Sequence, residues 1–116
     1  MLSVPEQVPV YLYTAAADMR HGIDRLSEKI RSELGRTPIS GGVFVFLSRD
    51  RKKVRLLYWD RDGYAIWMKR LEAGAFKVEL KDGYETITGM DLFEVLSGID
   101  LSRIKLRKSA EKGLFQ

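Results

Sequence analysis

The sequence predicts an α+β fold, an antiparallel β-meander sheet with one main helix packed on a face and a short C-terminal helix. Three observations carry that expectation. Apolar residues between Met19 and Leu34 recur at helical spacing. From Val43 onward the pattern changes to short runs of β-branched and aromatic residues. The turns between those runs are too short for a parallel crossover, so neighbouring strands must run antiparallel.

Val8-Pro9-Val10-Tyr11-Leu12-Tyr13 is rich in strand formers, and Pro9 makes it an edge strand or a strand start. Asp18 precedes the helical stripe of Met19, Ile23, Leu26, Ile30 and Leu34, with Arg25, Glu28, Lys29 and Ser32 on the outward face. Asp18 is the expected cap, and Gly35 with Pro38 beyond it the expected stop. Val43-Phe44-Val45-Phe46-Leu47 reads as a strand covered on both faces. After the polar turn Ser48-Arg49-Asp50-Arg51-Lys52-Lys53, a strand from Val54 to Trp59 turns at Asp60-Arg61-Asp62-Gly63 and returns from Tyr64 to Leu71. Phe76, Val78 and Leu80 alternate with Lys77 and Glu79, which predicts a fourth strand. Thr88-Gly89-Met90-Asp91 resembles a capping box with Asp replacing Glu. Leu92, Val95, Leu96 and Ile99 then give a short helical face ending near Gly98. Residues 1–104 are expected to form one domain, and residues 105–116 a basic tail that frays.

Composition narrows the function. Among 116 residues there is no cysteine, which excludes a disulfide scaffold, a thiolate metal site and a cysteine nucleophile and fits a reducing cytoplasm. No stretch approaches the ~18 apolar residues of a membrane span. Net charge is +4, unevenly distributed. Residues 49–77 hold nine basic and four acidic side chains, residues 78–100 one and six, and residues 101–116 five and one. Two basic blocks around an acidic one suit a polyanionic partner, and equally an unevenly charged solvated surface.

Candidate chemistry is sparse. His21 is the only histidine and falls near a helix start, without the partners a catalytic triad or a zinc site requires. Asp60 and Asp62 could hold a divalent cation, but Asp is also favoured in turns, and Arg61 between them opposes a cation. Gly35, Gly41-Gly42 and Gly63 punctuate turns and form no phosphate loop. No cofactor is expected. The sharpest constellation surrounds the turn at residues 60–63. With a two- or four-residue loop, Arg51, Lys53, Arg55, Leu57 and Trp59 share a face with Tyr64, Ile66, Met68 and Arg70. The opposite face (Val54, Leu56, Tyr58, Ala65, Trp67, Lys69, Leu71) resembles core. Arg51, Lys53, Arg55, Trp59, Tyr64 and Arg70 form a candidate nucleic-acid surface, the cations for phosphates and the rings for stacking. In the alternative, Trp59, Ile66 and Met68 pack under another element while the basic residues stay solvated at its rim.

The same residues carry a family resemblance. Asp18-Met19-Arg20-His21-Gly22-Ile23-Asp24, Val43-Phe44-Val45-Phe46 and Leu57-Tyr58-Trp59-Asp60-Arg61-Asp62-Gly63 come first. Trp67-Met68-Lys69-Arg70-Leu71-Glu72-Ala73-Gly74-Ala75-Phe76 and Leu96-Ser97-Gly98-Ile99-Asp100 follow. Together, from Val8 to Asp100, the chain resembles the accessory TnpB family of insertion-sequence family sixty-six, encoded beside the transposase and unrelated to the RNA-guided nuclease of that name. Tyr58-Trp59-Asp60-x-Asp62-Gly63 with Trp67-x-Lys69-Arg70-Leu71-Glu72 is its most specific part. His21 stands where the family often has Lys, and residues 81–88 and the tail match poorly.

The resemblance implies an accessory role in transposition beside a separately encoded transposase. With the charge pattern and composition, the leading expectation is a non-enzymatic cytoplasmic protein that binds DNA, the cognate transposase, or both. Cutting would belong to the transposase. Asp18, Arg20, Gly22, Tyr58, Trp59, Asp60, Asp62, Gly63, Trp67, Lys69, Arg70 and Leu71 are motif positions to which it assigns no molecular role. A protein-interaction module docking on an acidic partner is the second reading. A small nuclease using Asp60 and Asp62 is the third.

Overall fold

A computed structural model describes residues 7–79 and 83–97. Strand β1 (Val10–Tyr13) is followed by helix α1 (Ile23–Leu34), a single 3₁₀ turn (Pro38–Ser40), and strands β2 (Val43–Leu47), β3 (Lys53–Asp60), β4 (Gly63–Arg70) and β5 (Tyr84–Ile87). Helix α2 (Gly89–Leu96) closes the described chain. The strands form one sheet in the order β4-β3-β2-β1-β5. The fold is α+β, with α1 on one face of the sheet and α2 on the other.

The sheet is mixed, which corrects the expectation of a purely antiparallel meander. β2, β3 and β4 do form one, but β1 pairs parallel with β2, Val10 opposite Val43. Short turns compel antiparallel pairing, whereas the connection through α1 is long enough for a parallel crossover. β1 is therefore interior, flanked by β2 and β5, and not an edge. Pro9 lies just before its first residue, where its missing N–H removes nothing from the ladder, and its carbonyl accepts from Val43 at 3.0 Å.

The expected fourth strand is also corrected. Phe76 and Val78 are buried, but residues 75–79 form no strand. The Val78 amide donates to the Phe76 carbonyl, and the Phe76 amide donates to the Arg51 carbonyl at 2.7 Å. The alternation records which side chains cover the sheet, not a ladder. Leu80 lies outside the described residues, as do Gly98, Ile99 and the tail.

Helix α1 begins four residues later than expected. Its cap is Gly22, because Asp18 is engaged elsewhere: the carboxylate accepts from the Arg20 amide (2.9 Å), Nε (3.0 Å) and Nη2 (2.8 Å). The apolar stripe still works as one face. Leu26 and Ile30 are fully buried against Tyr11, Tyr13, Phe44, Phe46 and Leu57, with Met19, Ile23 and Leu34 packed around them. Gly35 ends the helix at φ +65°, a conformation that glycine adopts without penalty.

On the other face Leu92, Val95 and Leu96 of α2 join Phe76 and Val78 over Val10, Leu12, Val45, Val54 and Leu56. The capping box is present: Thr88 Oγ1 accepts from the Asp91 amide (3.0 Å), and the Thr88 amide donates to Asp91 Oδ2 (3.3 Å). Thr88→Ala should lower stability by ~1 kcal/mol in a denaturant titration, the usual value of an N-cap; no change would show that α2 does not depend on it. No helix among the described residues is long and apolar enough to cross a membrane.

Candidate nucleic-acid interface

The hairpin of β3 and β4 fixes which side chains share a face. Asp60 pairs with Gly63 across the two residues Arg61 and Asp62, and the register then runs without a bulge to Lys53 opposite Arg70. Trp59 stands opposite Tyr64, Leu57 opposite Ile66 and Arg55 opposite Met68, as a two-residue loop requires. The turn is tight. Arg61 sits at φ +56°, and the Asp62 amide donates to the Asp60 carbonyl, closing a γ-turn. The Trp59 indole Nε1 donates to the Arg61 carbonyl at 3.2 Å, and its ring meets Tyr64 edge-on with centroids 5.1 Å apart. This pair braces the turn.

The shared face is not uniform. Its middle is core, since Leu57 is buried under α1 and Ile66 packs beside it. Met68 is 57% exposed. The cations divide by what they hold. Arg55 reaches back to the chain before α1, its Nη1 donating to the His21 carbonyl (2.6 Å) and the Met19 carbonyl (3.3 Å). Arg51 does not belong to this face, since it lies before β3 in the turn, at φ +59°. It donates to the carbonyl of Val78 (3.2 Å), whose side chain covers the α2-side core, and so fastens the covering segment. None of these three partner carbonyls could be identified from sequence spacing.

Lys53 and Arg70 lie opposite each other at the far end of the hairpin, roughly 20 Å along the strand from the Trp59–Tyr64 pair at 3.3 Å per residue. Arg70 also pairs with Glu72 at 3.0 Å, an exposed contact. The β2–β3 turn adds exposed Arg49 and Lys52 to this end. They belong to the same charge run as Lys53, which is the signal in the sequence that could have found them. The turn is ordered by Asp50, which accepts from the Lys52 amide (3.0 Å) and Ser48 Oγ (2.7 Å); these bonds hold its carboxyl below its ordinary range. Lys53 also borders a shallow depression with Ala17, Asp18, Met19, Ser48, Arg49 and Asp50.

The remaining motif residues fall into structural places. Tyr58, Trp67 and Leu71 pack against the α2-side core. Lys69 Nζ donates to the Leu96 carbonyl at 2.8 Å, a cation at the C-terminal end of α2 where the helix dipole favours it. Asp18, with Arg20 and His21 beside it (His21 Nε2 at 3.7 Å), orders the chain before α1, and the Arg20 guanidinium holds its carboxyl well below the usual carboxylate range. Asp60 and Asp62 are exposed, and among the described residues no three His, Asp or Glu side chains gather as a metal site.

A family model described as "IS66 Orf2 like protein" matches residues 8–106. Two uncharacterized proteins of Sinorhizobium fredii are similar to the chain along most of its length. One, y4hO, is 32% identical over 101 residues, covering 86% of this chain and 88% of its own. The other, y4jC, is 28% identical over 106 residues, covering 90% and 91%. No solved structure matches.

Proposed function

We propose, from the premise that this chain belongs to the IS66 Orf2-like family of transposition-associated proteins, that it is a non-enzymatic accessory that binds DNA through the Lys53–Arg70 end of its sheet. The transposase, encoded separately, would do the cutting in the same cytoplasmic complex. One observation carries the DNA reading. Lys53 and Arg70 stand directly opposite each other, flanked by Arg49 and Lys52. Like charges facing each other across a ladder cost stability, and the exposed Arg70–Glu72 ion pair offsets little of that cost. A duplex backbone would offset more of it, because neutralising phosphates releases counterions. Five Lys/Arg in residues 101–116 add to that attraction. In this reading Arg51, Arg55, Trp59 and Tyr64 position the surface and do not touch the nucleic acid.

Salt dependence tests it. Fluorescence anisotropy with an element-end duplex should give a linear fall of log affinity with log salt. Lys53→Gln with Arg70→Gln should shallow that slope by ~1.8 units, at about 0.9 for each phosphate left without its cation. An unchanged slope overturns the assignment of the surface. If the double variant keeps its DNA binding but no longer co-purifies with the transposase, the rim docks on an acidic protein instead.

A further inference from the structure

β4 is an edge strand of eight residues, and its outer side carries a pairing pattern of its own. The Leu71 amide donates to the Lys52 carbonyl at 2.7 Å, one step beyond the Lys53–Arg70 pair. Ladder bonds alternate along an antiparallel pair, so odd-numbered residues of β4 bond to β3. Tyr64, Ile66, Met68 and Arg70 therefore turn their N–H and C=O groups outward, and among the described residues no strand receives them. The edge lacks the usual protection. It has no proline and no bulge, and its only charges, Lys69 and Arg70, sit at one end. The opposite edge, β5, is only four residues long.

We propose that this edge pairs antiparallel with the same edge of a second copy, joining two five-stranded sheets across a twofold axis at Ile66. A twofold perpendicular to the sheet keeps each face continuous and sets a residue opposite its own copy, either an outward-turned one that exchanges backbone bonds or an inward-turned one that does not. With Ile66 there, it exchanges both backbone bonds with its copy. Tyr64 then faces the partner's Met68, and Asp62 faces the partner's Arg70, each twice by symmetry. On the other face Ala65 stands opposite the partner's Trp67, small against large. Moving the axis to Met68 sets Ile66 against Arg70, and moving it to Tyr64 sets Ile66 against Asp62. An axis at Ala65 sets Arg61 against Lys69, and one at Trp67 sets Tyr64 against Arg70 and Asp62 against Glu72; the Ile66 register sets Asp62 against Arg70 and Tyr64 against Met68. The partner is thus a second copy, selected by charge complementarity at both ends of the strand.

Sedimentation velocity on the full chain without DNA, over a wide concentration range, should show a reversible monomer–dimer equilibrium. Arg70→Asp and Asp62→Arg should each raise the dimer dissociation constant about tenfold or more by opposing like charges. The combination of the two should restore it, since the pairs are reconstituted with reversed sign. Met68→Pro removes an outward N–H without touching the β3 ladder and should also weaken the dimer. Amide exchange gives an independent reading: Tyr64, Ile66 and Met68 should gain protection as concentration rises, while Ala65 and Trp67 stay protected throughout. A monomer at every concentration overturns the proposal, as does a dimer that all these variants leave intact. Protection of Tyr64, Ile66 and Met68 in a strict monomer would also overturn it, by showing that the chain covers its own edge.

Discussion

Leu26→Asp should cost at least about 4 kcal/mol, a large share of the ~5–15 kcal/mol by which a domain is stable. Leu26 is 1% exposed and lies at the centre of the α1 face, against Tyr11, Tyr13, Phe44, Phe46 and Leu57. Two terms add. The missing side chain leaves a cavity under α1, and truncation of a buried leucine alone usually costs ~2–5 kcal/mol. The carboxylate must then be buried without a partner or protonated, and either adds to the loss. Two cations of this face are already engaged, Lys29 over the Tyr13 ring at 5.5 Å and Arg36 over the Tyr11 ring at 4.9 Å. Thermal and urea melts followed by circular dichroism check this, with Leu26→Ala as the smaller step. A wild-type melting temperature in Leu26→Asp would mean that α1 does not pack on this sheet.

Leu26 is identifiable from sequence because it belongs to a repeat at helical spacing, and repeats are local. The same holds for the Thr88–Asp91 box and for the alternation that assigns faces to β3 and β4. What the sequence does not show has a common cause. Asp18 has the chemistry of a cap, yet a guanidinium two residues away competes for its carboxylate and wins. Pro9 allows β1 to be an edge or a strand start, and it is the latter. That β1 is interior is not legible, because a parallel partner beyond a helix leaves no mark on its own residues. Phe76 and Val78 alternate as a strand would, although the Phe76 amide bonds to Arg51, the Val78 amide to Phe76, and neither to a ladder. At the candidate site, the parity of Arg55 follows from the turn, but its work does not. Its carbonyl partners lie 34 and 36 residues back along the chain. Spacing along one strand therefore groups cations by face, while only the tertiary contacts separate those that hold the fold from those left to meet a ligand.

That separation gives the second large effect. Arg55→Ala should cost ~2 kcal/mol, the usual scale for hydrogen bonds from a charged donor. The guanidinium bridges the Met19 and His21 carbonyls, one of them at 2.6 Å, and so ties the chain ahead of α1 to the middle of β3. Arg55→Lys should recover only part of the loss, because one ammonium cannot reproduce the planar fork. Arg55→Met keeps much of the aliphatic stem and isolates the two bonds from the packing. The salt dependence of DNA binding should stay as in the wild type for all three, provided they are measured where the variants are folded. Lys53→Gln is the converse: its effect on stability should fall within ~0.5 kcal/mol, as for an ordinary surface substitution, while the salt slope shallows by about 0.9. Both residues point to the α1 side of one strand, two positions apart, and carry the same charge. If Arg55 moved the slope and Lys53 moved the stability, the division between fold-holding and ligand-facing cations on this hairpin would be reversed.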